Sequence, residues 1–575
     1  MDTLNTGAKF FASAESLKAS ERRGVLASST QIASSEITRP MCSVLADWLT
    51  SVWKMLKLRP ESFFATMSVV RAVLARDKTI SKAEMQLYGI ASLLLEYKYH
   101  EIHPPGISSI LFIIDDVYTS EQILTAERKV FKLLGCNANV PHEESYWRAI
   151  ATASGLFDRY YTIGMNLLFV LSLRGSDFLP SVVATAVASS VARVYQVSYV
   201  NHFSVTEEVI EGCAAEVVSS CSAIRRSRLK AYENLGHKRD KEAWLAAFNS
   251  VCDAKLPENK DAAPPREYSR SSYFVADISL DLLAPPKSWI IAPVLGEGGF
   301  GSVRKVEYQD HTYAVKKLSR SDTKSEGIDY RFCREVSIMQ SLDHPGIAKM
   351  RHITFDLKSI YMDLGISDLE EWIGRNGPAG KETQVQLAVE MFSALEYMHS
   401  EGCLHRDIKP GNILVFADRF VLTDFGGGRG CQIPLRDNYF TAGVCTIHYR
   451  SPEVLLGSLT YNDELDVWSM LCTLYECATG KVLFEGGVFS EVRQVHEIFS
   501  VLGTPTEETW PDIMMLRDYS PSSYPSVIKA KEAFFSGDDR LSDCYKEMLT
   551  KGMIMNPARR PNSGEVLEII SKYTP

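Results

Sequence analysis

From Thr38 to about Cys252 apolar residues recur at intervals of three and four, as in Val44-Leu45-Trp48-Leu49-Val52-Trp53 and Ile123-Leu124-Val130-Leu133-Leu134. That spacing lines one face of an α-helix, and Gly or Pro breaks separate the segments. Few stretches alternate as strands do, so more than 200 residues read as all-α. Residues 1–35 are rich in Ser, Ala, Thr and charge and read as a mobile arm. Pro257, Pro264, Pro265, Pro285 and Pro286 punctuate a polar stretch over 253–287, which reads as a linker with room for a docked segment at Tyr273 to Leu283. After Trp289 strand-like runs appear at Ile290 to Leu295, Ser302 to Tyr308 and Thr312 to Lys317, and helical periods return from Thr383. The order is a helical region, a linker, then an α+β domain.

The length, 575 residues, corresponds to about three to five domain-sized units. Apolar residues make up 45% and charged residues 23%, which excludes a wholly disordered, collagenous or coiled-coil chain. The net charge of −9 gives no global positive field for nucleic acid. Twelve cysteines are scattered without a Cys-x-x-Cys pair, so reduced thiols in an intracellular protein, nuclear or cytoplasmic, are the simplest reading. Met1 to Gly24 lacks the apolar core of a signal peptide. The longest apolar stretch, Ile163 to Leu173, is too short to span a bilayer, so no membrane partner is expected.

Candidate chemistry lies in the last half. Gly296, Gly298, Gly301 and Val303 form Gly-x-Gly-x-x-Gly-x-Val, a weak signal alone. Ala314-Val315-Lys316 follows on the next strand pattern, and a helical segment then presents Glu335, a carboxylate able to fix Lys316. His405-Arg406-Asp407-Ile408-Lys409-Pro410-Gly411-Asn412, Asp424-Phe425-Gly426 and Ser451-Pro452-Glu453 complete an ordered set. This set resembles eukaryotic protein kinases. The resemblance implies ATP as co-substrate and Mg²⁺ held by Asn412 and Asp424. It makes Asp407 the acceptor of the substrate hydroxyl proton, with Lys409 and Lys316 on the phosphates. Met362 would stand at the gatekeeper position. Asp363 and Gly365 would offer backbone groups to adenine, Asp368 would reach the ribose, and Glu453 would pair with Arg560.

Gln494-Val495-His496-Glu497-Ile498-Phe499 and Leu502-Gly503-Thr504-Pro505 are similar to the insert of cyclin-dependent kinases. That likeness makes Thr441 an activating phosphosite gripped by Arg334, Arg406 and Arg429, which calls for an activating kinase. Val444, Cys445 and Arg450 would form a pocket for proline after the target residue, favouring Ser/Thr-Pro protein substrates. Departures are Gly299 and Phe300 where inhibitory phosphosites would stand, Gly427 after Asp424-Phe425-Gly426, and a helix motif Asp329 to Glu335 unlike the usual cyclin-binding signature.

In the helical region, Met41 to Leu49, Lys98-Tyr99-His100-Glu101-Ile102-His103-Pro104-Pro105 and Tyr118 to Glu127 resemble A/B-type cyclins. The implied architecture is multidomain: an all-α cyclin fold of two helical repeats (36–140 and 141–252), followed by an α+β bilobal kinase over 288–575, with lobes at 288–365 and 366–575. Lys98 and Glu127 match the pair that grips the kinase helix. Met41, Val44, Leu45, Trp48 and Gln86 match a patch that docks substrates and cyclin-directed inhibitors, or else are core. Cys42 and Arg71 replace the usual buried Arg–Asp pair. A flexible linker of about 35 residues reaches about 30 Å and holds its ends near millimolar effective concentration, so docking within one chain is expected, with docking between two copies of the chain left open. The expected function is a self-contained serine/threonine kinase driving the cell cycle. A transcription-type kinase acting on polymerase tails and a cyclin–pseudokinase scaffold stay open; intact Lys316, Asp407, Asn412 and Asp424 weigh against the scaffold.

Overall fold

The computed structural model describes residues 36–574 apart from 102–103, 156, 175, 177, 202, 227–245, 247, 252, 254–281, 284–292, 299–300, 309–310, 319–326, 355, 431–445, 459–460, 487–489, 522–523 and 525–530. The described residues fall into two compact units. One is helical and comprises those of 11–281 together with those of 320–337; the other holds those of 282–319 and 338–575.

The helical unit begins with α1 (Arg39–Leu56), α2 (Pro60–Arg76), α3 (Met85–His100), α4 (Ile107–Ile113) and α5 (Ser120–Leu133). Proline at the first turn starts α1 and α2, where its missing N–H costs nothing. Thr119 caps α5 through a reciprocal box with Gln122. Helix α3 is buried along most of its length and packs against α1, α2 and α5. Gly89 lets α1 approach it: an added Cβ would meet Leu45 Cδ1 at 3.1 Å. A second set follows, α6 (Glu143–Ala153), α7 (Phe157–Arg174), α8 (Pro180–Tyr195) and α9 (Glu207–Arg226), with α8 packed on α6, α7 and α9. The missing Arg–Asp pair has a substitute. Arg71 is buried and pairs with Glu143 at 3.5 Å, and it donates to the Ser172 carbonyl at 3.2 Å, so it ties α2 to the second set.

The other unit opens on a six-stranded sheet in the order β1-β5-β6-β4-β3-β2. Its strands are β1 (Leu282–Leu283), β2 (Val294–Gly298), β3 (Gly301–Tyr308), β4 (His311–Leu318), β5 (Met350–Thr354) and β6 (Ser359–Asp363). All neighbours are antiparallel except β1, which adds in parallel to β5 from within the stretch read as a linker. Alternation sorts the side chains. Val306, Val315 and Tyr361 form a buried cluster on one face, with Tyr308 and Tyr313 against it. The register pairs Val303 with Lys316 and Ala314 with Met362, placing those four on the opposite face.

Helix α10 (Tyr330–Ser341) passes from one unit's residues to the other's. Short β7 (Ser367–Asp368) leads into α11 (Leu369–Asn376) and α12 (Lys381–Ser400), and α13 (Glu464–Thr479), α14 (Glu491–Leu502), α15 (Asp543–Gly552) and α16 (Ser563–Ile570) follow. Helix α13 is buried almost throughout and packs on α12 and α15. Arg560, 1% exposed, grips Glu453 with two bonds of 2.8 Å and lies 5.0 Å over the Trp468 ring. Its remaining donors reach the carbonyls of Ile554, Met555 and Glu464, so this buried pair is fully hydrogen-bonded.

No described helix is long and apolar enough to cross a membrane. The cysteines described, including Cys42, Cys136, Cys333 and Cys472, are free.

Candidate active site

The β2–β3 hairpin pairs Gly298 with Gly301 and brings Gly296 alongside Val303; its tip, 299–300, lies outside the described residues. An added Cβ on Gly296 would meet nothing within 4 Å, so its backbone is open to a ligand. Ala314 and Met362 are buried side by side on the face that carries Lys316. Asp363 spends its carboxylate on Arg351, through bonds of 2.8 and 2.6 Å, which leaves its backbone as the predicted contact. Gly365 passes close to the next strand, where a Cβ would meet the Val415 carbonyl at 3.3 Å. Asp368 caps α11 by accepting the Glu371 N–H at 2.8 Å.

Below the sheet, the loop from Cys403 to Asn412 is held from α13. Buried Asp466 accepts the backbone N–H groups of His405 and Arg406, each at 2.8 Å, and lies 3.1 Å from His399 Nε2. Burial pushes this carboxyl up, but those partners more than offset it and hold it below the usual carboxylate range. Asp466 was not singled out from sequence. The signal was an acid in an otherwise apolar helical run, Leu465-Asp466-Val467-Trp468.

Asp407 stands at the centre. Its Oδ2 accepts from Lys409 Nζ at 3.0 Å and Asn412 Nδ2 at 3.1 Å, and its Oδ1 accepts from Thr446 N and Oγ1, each at 3.2 Å. Lys409 Nζ also reaches Thr446 Oγ1 at 3.1 Å. Lys316 Nζ bonds to Asp424 Oδ1 at 2.8 Å. Burial pushes the Asp424 carboxyl up, and Lys316 brings it net below its ordinary value. Arg406 and Asp424 both have a φ of 65°, a left-handed backbone that surrounding bonds must hold in place. For Mg²⁺, Asn412 spends its amide nitrogen on Asp407, which leaves its amide oxygen toward a metal, and Asp424 offers a carboxylate. Two hard oxygen donors suit that ion, with waters and phosphates completing the shell.

The phosphosite prediction divides. Thr441, Val444, Cys445 and the Arg429 side chain lie outside the described residues. Arg406 donates to the Gly427 carbonyl at 2.8 and 2.6 Å and to the Tyr461 hydroxyl at 3.2 Å. Arg450 pairs with Glu491 at 2.6 Å.

In the helical unit Lys98 and Glu127, both buried, pair at 2.6 Å. Glu127 Oε2 also accepts the Ile328 N–H at 3.1 Å, so the predicted pair does hold residues leading into α10. Gly327, with a φ of +77°, is required there: a Cβ would fall 2.3 Å from Glu127 Oε2 and 2.6 Å from Leu124. Arg334 donates to the carbonyls of Tyr99, at 3.0 Å, and Glu101. Ser337 Oγ accepts the Ala138 N–H at 2.9 Å. Glu335 is 1% exposed on the same helix. Met41, Val44, Leu45, Trp48 and Gln86 come together, with Met85, along an open groove of about 900 Å³. Leu45 is largely core, whereas Val44 is 62% exposed.

A strand-borne lysine, a Gly-rich hairpin and an Asp–Lys–Asn loop under one sheet are the parts of a phosphate-transferring site. Family comparisons agree: residues 289–570 match the protein kinase domain, and residues 11–139 match the cyclin N-terminal domain. The chain therefore joins a protein kinase domain to a cyclin domain in one polypeptide. The cyclin match begins inside the stretch read as an arm. A protein of Acanthamoeba polyphaga mimivirus, provisionally named a serine/threonine-protein kinase, is 24% identical over 556 residues, 92% of this chain and 96% of that one.

Proposed function

We propose that the chain is a self-contained serine/threonine protein kinase of the cyclin-dependent type, whose own cyclin domain seats the helix bearing Glu335. The observation that carries this reading is the grip on 327–337. Lys98–Glu127 takes the Ile328 N–H, and α3 carbonyls take Arg334. The mimivirus relative supports the Ser/Thr class. Asp407 orients the substrate hydroxyl and accepts its proton, while Lys409 and Lys316 face the phosphoryl oxygens. Mg²⁺, held by Asn412 and Asp424, would neutralise phosphate charge as the group transfers. Arg450, seated by Glu491, favours proline after the target residue, and the groove at Met41 to Gln86 docks protein partners. The output is cell-cycle control inside a cell.

The test is phosphate transfer by the full chain with Mg-ATP, no added cyclin, and paired Ser-Pro and Ser-Ala peptides. Transfer to the Ser-Pro peptide is expected, lowered about 10²–10⁴-fold in Asp407→Asn. Activity only on adding a separate cyclin would overturn self-containment, and equal use of both peptides would overturn proline direction.

A further inference from the structure

Glu96 is an anomaly in the helical unit. It lies on α3 two residues before Lys98, is 0% exposed, and neither carboxylate oxygen has a hydrogen-bond partner. His100 Nε2, one turn on, lies 3.4 Å from Glu96 Oε2. Cys333, buried on the seated helix, lies close enough that the Glu96 carboxylate helps to hold its thiol up, after burial itself. The other charged neighbours are committed. Lys98 holds Glu127, and Arg334 holds the Tyr99 and Glu101 carbonyls. His142, from the loop before α6, lies edge-on to His100 with ring centres 5.8 Å apart, and burial pushes it down to about 4. It brings no positive charge at neutral pH.

An ionised carboxylate in such a place is costly. Burial accordingly drives Glu96 well above its ordinary value. Protonated, it becomes a donor and His100 Nε2 an acceptor, giving a neutral pair. With residues 327–337 away, the end of α3 that takes Arg334 at Tyr99 would be less covered, and a carboxyl one turn before it would ionise more readily.

Resting on the reading that the cyclin domain seats 327–337, we propose that Glu96 makes this seating a proton-linked step, favoured as pH falls and loosened as pH rises. The carboxyl holds a proton when the segment is in place and releases it when the segment leaves. Seating is therefore strongest below the ordinary carboxyl value. It weakens as pH climbs toward the raised one, by as much as about tenfold per pH unit. The step also favours a small neutral side chain at position 333, since a carboxylate there would face Glu96.

Hydrogen exchange of the full chain tests this, read on amides 328–337 and corrected for intrinsic rates, between about pH 6.5 and 9. His142 stays neutral throughout that window. In the wild type, protection of these amides should fall as pH rises across it. Glu96→Gln, neutral at every pH, should keep the profile flat. A parallel fall in Glu96→Gln would overturn the proposal. Should that variant fail to fold, His100→Leu keeps the acid and removes its acceptor. Its loss of protection should begin at lower pH, and an unmoved midpoint is the contrary result. Absence of protection at any pH in the wild type would instead sink the seating itself, whereas protection that ignores pH would sink only this inference.

Discussion

The loop around Asp407 and the segment 327–337, which leads into α10, are both held by buried polar groups, but their supports lie at different distances along the chain. Asp466 fixes the His405 and Arg406 amides from 61 and 60 residues away, within one unit. The partners of 327–337 lie 199 to 235 residues away. Closing so long a loop costs only slightly more entropy than closing a short one. The two parts can therefore be fixed independently. The Asp407 cluster is built within the kinase unit, while residues 327–337 are held by residues of the helical unit.

Removing the internal support should have the largest effect. Asp466→Ala strips the acceptor from two backbone amides and the partner from His399, each orphaned group costing about 1–3 kcal/mol. A loss of at least about 3 kcal/mol is expected in denaturant unfolding, with phosphate transfer falling alongside it. Unchanged transfer in a destabilised protein would mean that the loop keeps its geometry without Asp466.

The complementary change separates the two supports. Lys98→Ala leaves Glu127 buried without its cation, and breaking such a pair costs about 3–5 kcal/mol at a fully buried site. Amides 328–337 should lose exchange protection while those of His405 to Asp407 keep theirs, and phosphate transfer should drop. Loss of protection in both stretches would erase the distinction. A double-mutant cycle with Glu127→Gln should return a coupling of about 0.5–3 kcal/mol.

How much of this was visible beforehand follows the same division. Asp407, Lys409, Asn412 and Asp424 were read from short ordered motifs, and the structure gathers Asp407, Lys409 and Asn412 into one bonded cluster. Lys98 and Glu127 were legible through a family pattern, and they do meet. Their engagement of Ile328 depends on Gly327, whose importance lies in its φ and the space beside it. Cys42 and Arg71 in the places of the usual Arg–Asp pair showed that this pair cannot form, but the partner Arg71 finds instead, Glu143, comes from the next helix set and has no local signature. Asp466 and Glu96 went unread because an acid in a helical pattern resembles a solvated charge; only packing reveals that each is buried.

The smallest expected effect probes the scaffold under the grip. Helix α5, which carries Glu127, starts at a reciprocal cap: Gln122 N donates to Thr119 Oγ1 at 3.3 Å, and Thr119 N donates to Gln122 Oε1 at 2.8 Å. Thr119→Ala removes one half of that exchange, and losing such a cap costs about 1 kcal/mol. Glu127 lies two turns into the helix, beyond the turn that a lost cap frays, so the Lys98 pair should survive. The expected outcome is a slightly lower unfolding midpoint for the helical unit, with phosphate transfer and the protection of 328–337 unchanged. A large loss of protection from this mild change would mean that the cyclin domain holds its partner helix through the first turn of α5, and not through the buried Lys98–Glu127 pair.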